Sequence, residues 1–237
     1  MAGDATRRWL AGLLCFALWP AQVFAQDEVW ESHMRAAVNA HRLGNYARAE
    51  DRMQAALRVA ESFEPDDPRL AETLRGLGLV YFERNKFEAA EPLLERVLRI
   101  DERTLGAAHP RFGASLNALA LVETRLGVYA RAKPLYERAL AIFRKALGPD
   151  HLNVAQVLES LGGLFLAQAR YDEAEARYRD SLAVFEKALG PRHPDVARLL
   201  EATAGVLRLQ GRGAEAEELE ARARAIRSGR EAEDTAK

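Results

Sequence analysis

The chain has 237 residues, 49% of them apolar and 29% charged, with 34 basic against 35 acidic side chains and a net charge of −1. This content supports a packed core and excludes wholesale disorder. The charge balance gives no electrostatic reason to expect nucleic acid or an anionic membrane as partner, since both reward a clustered positive face.

At the start of the chain, Arg7 and Arg8 precede an apolar run from Trp9 to Trp19, followed by Pro20 and Val23-Phe24-Ala25. That order predicts a signal peptide over residues 1–25, with cleavage after Ala25. The apolar run is much shorter than the roughly 20 helical residues that cross a bilayer, so no stable membrane span is expected after cleavage. The expected location is periplasmic or secreted. Leu13 and Leu14 stand where lipid attachment at Cys15 requires a small residue. Cys15 is the one cysteine, so the processed chain is expected to form no disulfide and to bind no metal through sulfur.

Beyond residue 25 the sequence repeats. Pro68, Pro110, Leu152 and Pro194 are spaced by 42 residues, as are Leu105, Leu147 and Leu189, and Phe87, Tyr129 and Tyr171. Within each unit a first run carries apolar or small residues at helical spacing, such as Leu74, Leu77, Gly78 and Tyr81, or Leu158, Leu161, Gly162 and Phe165. A short turn follows, as at Leu126-Gly127-Val128 or Gln210-Gly211-Arg212. A second run then begins, such as Tyr129, Ala132, Tyr136, Ala139, Phe143 and Leu147. Each unit therefore reads as a helical hairpin. Proline is well suited to the first helical position, where its missing N–H would be unpaired anyway, so Pro68, Pro110 and Pro194 mark helix starts. Asp67, His109, His151 and His193 are the expected caps.

The run Tyr171-Asp172-Glu173-Ala174-Glu175-Ala176-Arg177-Tyr178, with the linkers Leu147-Gly148-Pro149-Asp150-His151 and Leu189-Gly190-Pro191-Arg192-His193-Pro194, resembles the tetratricopeptide repeat (TPR), in particular the 42-residue kinesin-light-chain-like subtype. The resemblance implies an all-α fold, an α-solenoid of five TPR-like helical hairpins in a right-handed superhelical array. The expected organisation is a degenerate repeat 1 over 26–67, repeats 2, 3 and 4 over 68–109, 110–151 and 152–193, a capping repeat 5 over 194–228, and a disordered tail over 229–237. In repeat 1 the register moves by one residue, since Tyr46 precedes Phe87 by 41. In repeat 5, Gly213 replaces the aromatic residue. Small residues at Ala90, Ala132, Ala174 and Ala216 are expected to permit close helix packing.

The resemblance also implies that the first helix of each hairpin lines a concave groove. Helical spacing then selects the stripe not used for packing. That stripe comprises Met34, Val38 and His41 in repeat 1; Glu72, Arg75, Leu79, Phe82 and Glu83 in repeat 2; Ala114, Asn117, Leu121, Thr124 and Arg125 in repeat 3; and Gln156, Glu159, Gly163 and Leu166 in repeat 4. Its mixture of apolar groups and charges of both signs suits a protein or peptide ligand. Asn117, in Leu116-Asn117-Ala118-Leu119-Ala120, matches a groove asparagine of the kinesin light chain pattern. Arg75, Glu159 and Glu201 occupy the equivalent positions, so no asparagine ladder continues along the array.

No catalytic residue, metal site or cofactor is expected. The linker histidines recur once per repeat, too far apart to share an ion, and read as caps. Glu123 falls on the packing face and is expected to reach water or pair with Arg131 or Lys133. Gly76-Leu77-Gly78 lies within a helix and lacks the preceding strand of a dinucleotide fingerprint. The expected function is an exported, non-catalytic scaffold for a protein or peptide. The alternatives are a small-ligand-binding accessory protein for an uptake or envelope system, and a structural subunit that self-assembles into oligomers.

Overall fold

The computed structural model describes residues 26–235, and the signal segment 1–25 with its cleavage point lies outside them. The described residues form ten helices and no strand. Helix α1 occupies 26–42 and is followed by α2 (Tyr46–Ala60), α3 (Pro68–Glu83), α4 (Phe87–Leu105), α5 (Pro110–Arg125), α6 (Tyr129–Leu147), α7 (Leu152–Ala167), α8 (Tyr171–Leu189), α9 (Pro194–Leu209) and α10 (Gly213–Thr235). The helices form antiparallel hairpins, α5 with α6, α7 with α8 and α9 with α10. Within the units, α2 packs on α3, α6 on α7 and α8 on α9, so the second helix of one hairpin meets the first of the next. The chain divides into two compact units, one ending at Ile100 and the other beginning at Asp101.

Local chemistry sets these boundaries. The Nδ1 atoms of His109, His151 and His193 accept from the backbone N–H of Arg111, Asn153 and Asp195 at 3.0, 3.1 and 3.2 Å. Asp67 accepts from the N–H of Arg69 at 2.8 Å. Each cap thus satisfies a donor that the first turn leaves without an intrahelical partner. Pro68, Pro110 and Pro194 begin α3, α5 and α9. At every hairpin turn a backbone N–H reaches back to a carbonyl five residues earlier: Asn45 to Ala40, Lys86 to Tyr81, Val128 to Glu123, Arg170 to Phe165 and Arg212 to Leu207, at 2.8–2.9 Å. This closure needs one residue of positive φ, supplied by Gly44, Asn85, Gly127, Ala169 and Gly211.

In the first unit the core joins Trp30, Met34 and Ala37 of α1 to Met53 and Ala56 of α2, Leu70, Leu74 and Leu77 of α3, and Val97 and Ile100 of α4. In the second unit Phe112, Leu116, Tyr136, Leu158, Leu164, Leu199, Leu200 and Leu207 are fully buried, each such apolar side chain contributing about 1.5–3 kcal/mol by leaving water. Ala90, Ala132, Ala174 and Ala216 have no exposed surface. Glycines on first helices receive the large side chains of second helices. A Cβ at Gly78 would stand 2.9 Å from Leu94, and one at Gly162 only 2.5 Å from the Tyr178 ring.

Ion pairs recur between neighbouring hairpins. Glu50 of α2 accepts from Arg84 and Lys86 at 2.6 and 2.8 Å, and Glu175 of α8 accepts from Arg212 at 2.6 Å. At the end of α2, Glu61 pairs with Arg96 at 2.8 Å, and on second helices Glu102 pairs with Arg138 at 2.9 Å and Glu186 with Arg222. Helix α10 continues to Thr235, over residues where the sequence reading placed the start of an unstructured tail. The run Arg230-Glu231-Ala232-Glu233 is made of good helix formers, and the only break near it is Gly229.

Candidate peptide-binding stripe on the first helices

In the first unit, an open cleft of about 480 Å³ lies along α1. It is lined by Trp30, Met34, Val38, Asn39 and Arg42, with Glu72 contributed by α3. The structure therefore brings together three of the residues expected from the sequence, Met34, Val38 and Glu72. Trp30 is fixed by its indole N–H, which donates to Thr73 Oγ1 at 2.8 Å, and Thr73 in turn donates to the carbonyl of Arg69 at 2.7 Å. Met34 is only 7% exposed and belongs to the core, so its edge forms part of the cleft floor. Val38 is 57% exposed, and Leu79, one hairpin later, 47%. Arg42 donates to Asn39 Oδ1 at 3.1 Å, which holds an amide and a guanidinium together at the rim. Phe82 is half-buried with its ring edge-on to Phe87 at 5.4 Å, and Arg75 is half-buried on the same helix.

The second unit carries the remaining expected residues. The Oδ1 atom of Asn117 is shielded from solvent and accepts no hydrogen bond among the described residues. Leu121 is half-buried, and Arg125 and Gln156 are exposed. Thr124 donates to the carbonyl of Ala120 at 2.7 Å and lies 3.3 Å from Tyr136 Oη. Burial pushes the Tyr136 phenol up to about 12 against the opposing effect of its hydrogen bonds with Thr124 and Ser160, so it remains a neutral hydroxyl. Glu159 is ion-paired with Arg198 of α9, with Nη2 to Oε2 at 3.0 Å, a bond that raises the arginine further. Beside it the Tyr178 phenol is raised to about 12, by burial first and by the Glu159 charge second. Gly163 lies over the Tyr178 hydroxyl with room for a methyl group, so this stretch is lined by backbone.

Glu123, expected to pair with a nearby base, has no exposed surface and meets Arg131 at 2.7 Å. Sequence reasoning missed Trp30, Asn39 and Arg42 in the first cleft and the buried hydroxyl of Tyr136. The spacing of Trp30, Met34 and Val38 at intervals of four would have grouped them. In the first unit, the apolar floor and the amide, guanidinium and carboxylate of the rim can receive an extended backbone or side chains of either charge.

Capped hairpins repeated at a constant interval, with α2 packed on α3, α6 on α7 and α8 on α9, define a helical-repeat protein. Residues 31–103, 111–187 and 161–228 match the tetratricopeptide repeat. The chain belongs to the tetratricopeptide repeat family. Among solved structures it is similar to BtubC (BKLC) from P. vanneervenii, with 22% identity, 87% of this chain and 92% of that one covered, and a TM-score of 0.68. It is also similar to the nearly identical TPR-like repeats of a Podosopora anserina kinesin light chain, at 24% identity, 84% and 95% coverage and a TM-score of 0.69. A Rap protein complexed with competence and sporulation factor aligns at 17% identity over 84% of this chain and 54% of that one, with a TM-score of 0.70. No curated protein matches the sequence. Among the described residues no helix is long and apolar enough to cross a membrane.

Proposed function

We propose that the chain is an exported, non-catalytic scaffold that holds a protein or peptide partner along its first-helix stripe. The observation that carries this reading is the open cleft on α1, where exposed Val38 lies beside Trp30 and the polar rim of Asn39, Arg42 and Glu72. An apolar floor with a polar rim is how grooves take up peptide side chains while fixing their register. Two Rap structures with similar folds, one complexed with competence and sporulation factor and one with the Phr* peptide, lend this reading support.

Crosslinking in cells followed by co-purification tests it. One partner captured by wild type is expected to be lost with Val38→Asp and weakened with Leu79→Asp and Asn117→Ala. Capture indifferent to all three substitutions would overturn the stripe as the binding surface. A small metabolite that saturates the purified protein, with no protein captured, would favour an uptake accessory instead. Export is tested by the mass of the chain recovered outside the cytoplasm. A product beginning at Gln26 is expected, and one retaining Trp9 to Ala25 would exclude cleavage.

A further inference from the structure

The first hairpin has a second cleft, of about 500 Å³, which shares no residue with the one around Trp30. His33 of α1 lies on one side, and Arg48, Arg52 and Arg58 of α2 on the other, with Ala55 and Val59 between them and Asp51 as the one acid in the lining. Arg48, Arg52, Ala55 and Val59 follow one another at intervals of four, three and four, so they form a single stripe. This stripe is separate from Ala49, Met53, Ala56 and Ala60, which enter the core.

Many arginines of the surface are tied to carboxylates, as Arg96 is to Glu61, Arg138 to Glu102, Arg208 to Glu220 and Arg227 to Glu201, whereas three that are not share this one cleft. The guanidinium groups of Arg48, Arg52 and Arg58 meet no hydrogen-bonding or ion-pairing side chain among the described residues, and neither does Asp51. Three unpaired guanidinium groups against one carboxylate leave a local positive excess in a chain of net charge −1.

We propose that this cleft binds an acidic polypeptide segment. Each guanidinium offers a planar fork of donors that matches a carboxylate. Ten residues of helix separate Arg48 from Arg58, a rise of about 15 Å, which four or five residues of extended peptide span. Ala55 and Val59 supply an apolar floor for a side chain between the acids. Nucleic acid is disfavoured because the excess is confined to one hairpin and interrupted by Asp51, whereas a phosphate backbone rewards a continuous positive track. This site is independent of the occupant of the Trp30 cleft.

Fluorescence anisotropy with a labelled eight-residue peptide of alternating Glu and Leu tests the proposal against the same peptide with Gln for Glu. The Glu peptide is expected to bind at least tenfold more tightly, and the Arg48→Glu/Arg52→Glu variant to lose at least tenfold with its thermal melt unchanged. Val38→Asp, in the other cleft, is expected to leave binding intact. Equal binding of the two peptides, or full affinity in the double variant, would overturn the site. Preference for an oligonucleotide of equal charge or for anionic vesicles would assign it to phosphate instead. Sedimentation showing a dimer that the double variant dissolves would assign it to a second copy of this chain.

Discussion

Ala169 is the one residue in the hairpin turns whose side chain conflicts with its backbone. It has φ of +56°, where three of the four equivalent positions have glycine and the fourth has Asn85. A Cβ in the left-handed region costs about 1–2 kcal/mol, and asparagine tolerates it better than alanine. Ala169→Gly is therefore expected to stabilise the protein by about 0.5–1 kcal/mol after the loss of unfolded-state restriction, read from urea denaturation. Gly127→Ala, with φ of +76°, should act in the opposite direction. The neighbouring glycines of α7 show a different constraint. A methyl group at Gly162 would meet the Tyr178 ring at 2.5 Å, whereas one at Gly163 would be 3.7 Å from the Tyr178 hydroxyl. Gly162→Ala should cost about 1–3 kcal/mol through overpacking. Gly163→Ala should gain up to about 1 kcal/mol from helix propensity, so a pair of thermal melts separates the two.

Between elements, carboxylates just inside second helices reach the turn of the next hairpin. Glu50 does so with Arg84 and Lys86, and Glu175 with Arg212. Glu175 is also held by Arg179 at 2.8 Å. Burial raises its pKa, but hydrogen bonds from Gln210, Arg212 and Arg179 outweigh that and leave it below the usual carboxylate value. A double-mutant cycle of Glu175→Gln and Arg212→Gln is expected to show a small favourable coupling, screened by added salt. A coupling near zero would mean that the contact adds nothing to hairpin stacking. The hairpins themselves were legible because prolines, caps and turns are local chemistry repeated at a constant interval. So was the pairing of Glu123, since a carboxylate on a packing face needs a base within reach. The Trp30 cleft was not legible from the repeat. Register slips by one residue between Tyr46 and Phe87, so the repeat pointed to Met34 and Val38 of this cleft but not to Trp30. The unpaired state of Arg48, Arg52 and Arg58 depends on which carboxylates fall near them in space, which spacing along the chain does not encode.

For the whole molecule, these pairings couple stability to acid. Asp67 is held below its ordinary value by the Arg69 side chain, and Glu175 is likewise lowered. A carboxylate whose folded-state value is depressed contributes stability that is present above its unfolded value. That contribution is lost as pH falls through the folded value. The urea midpoint is therefore expected to change little between pH 7 and 5 on this account and to fall below about pH 4.5 as these groups take up protons. An Asp67→Asn/Glu175→Gln variant should show a shallower acid slope, and an unchanged slope would place the acid sensitivity elsewhere. The constant interval has a further consequence, for the gene rather than for the fold. The 42-residue block from Pro110 to His151 contains a helix start, a Schellman turn at Gly127 and the cap of the block that follows. A stretch of coding sequence copied or lost in steps of that length rejoins a cap to a helix start and a turn to its hairpin. Any other step throws them out of phase, so the protein can change its length by whole hairpins without new interfaces having to be invented.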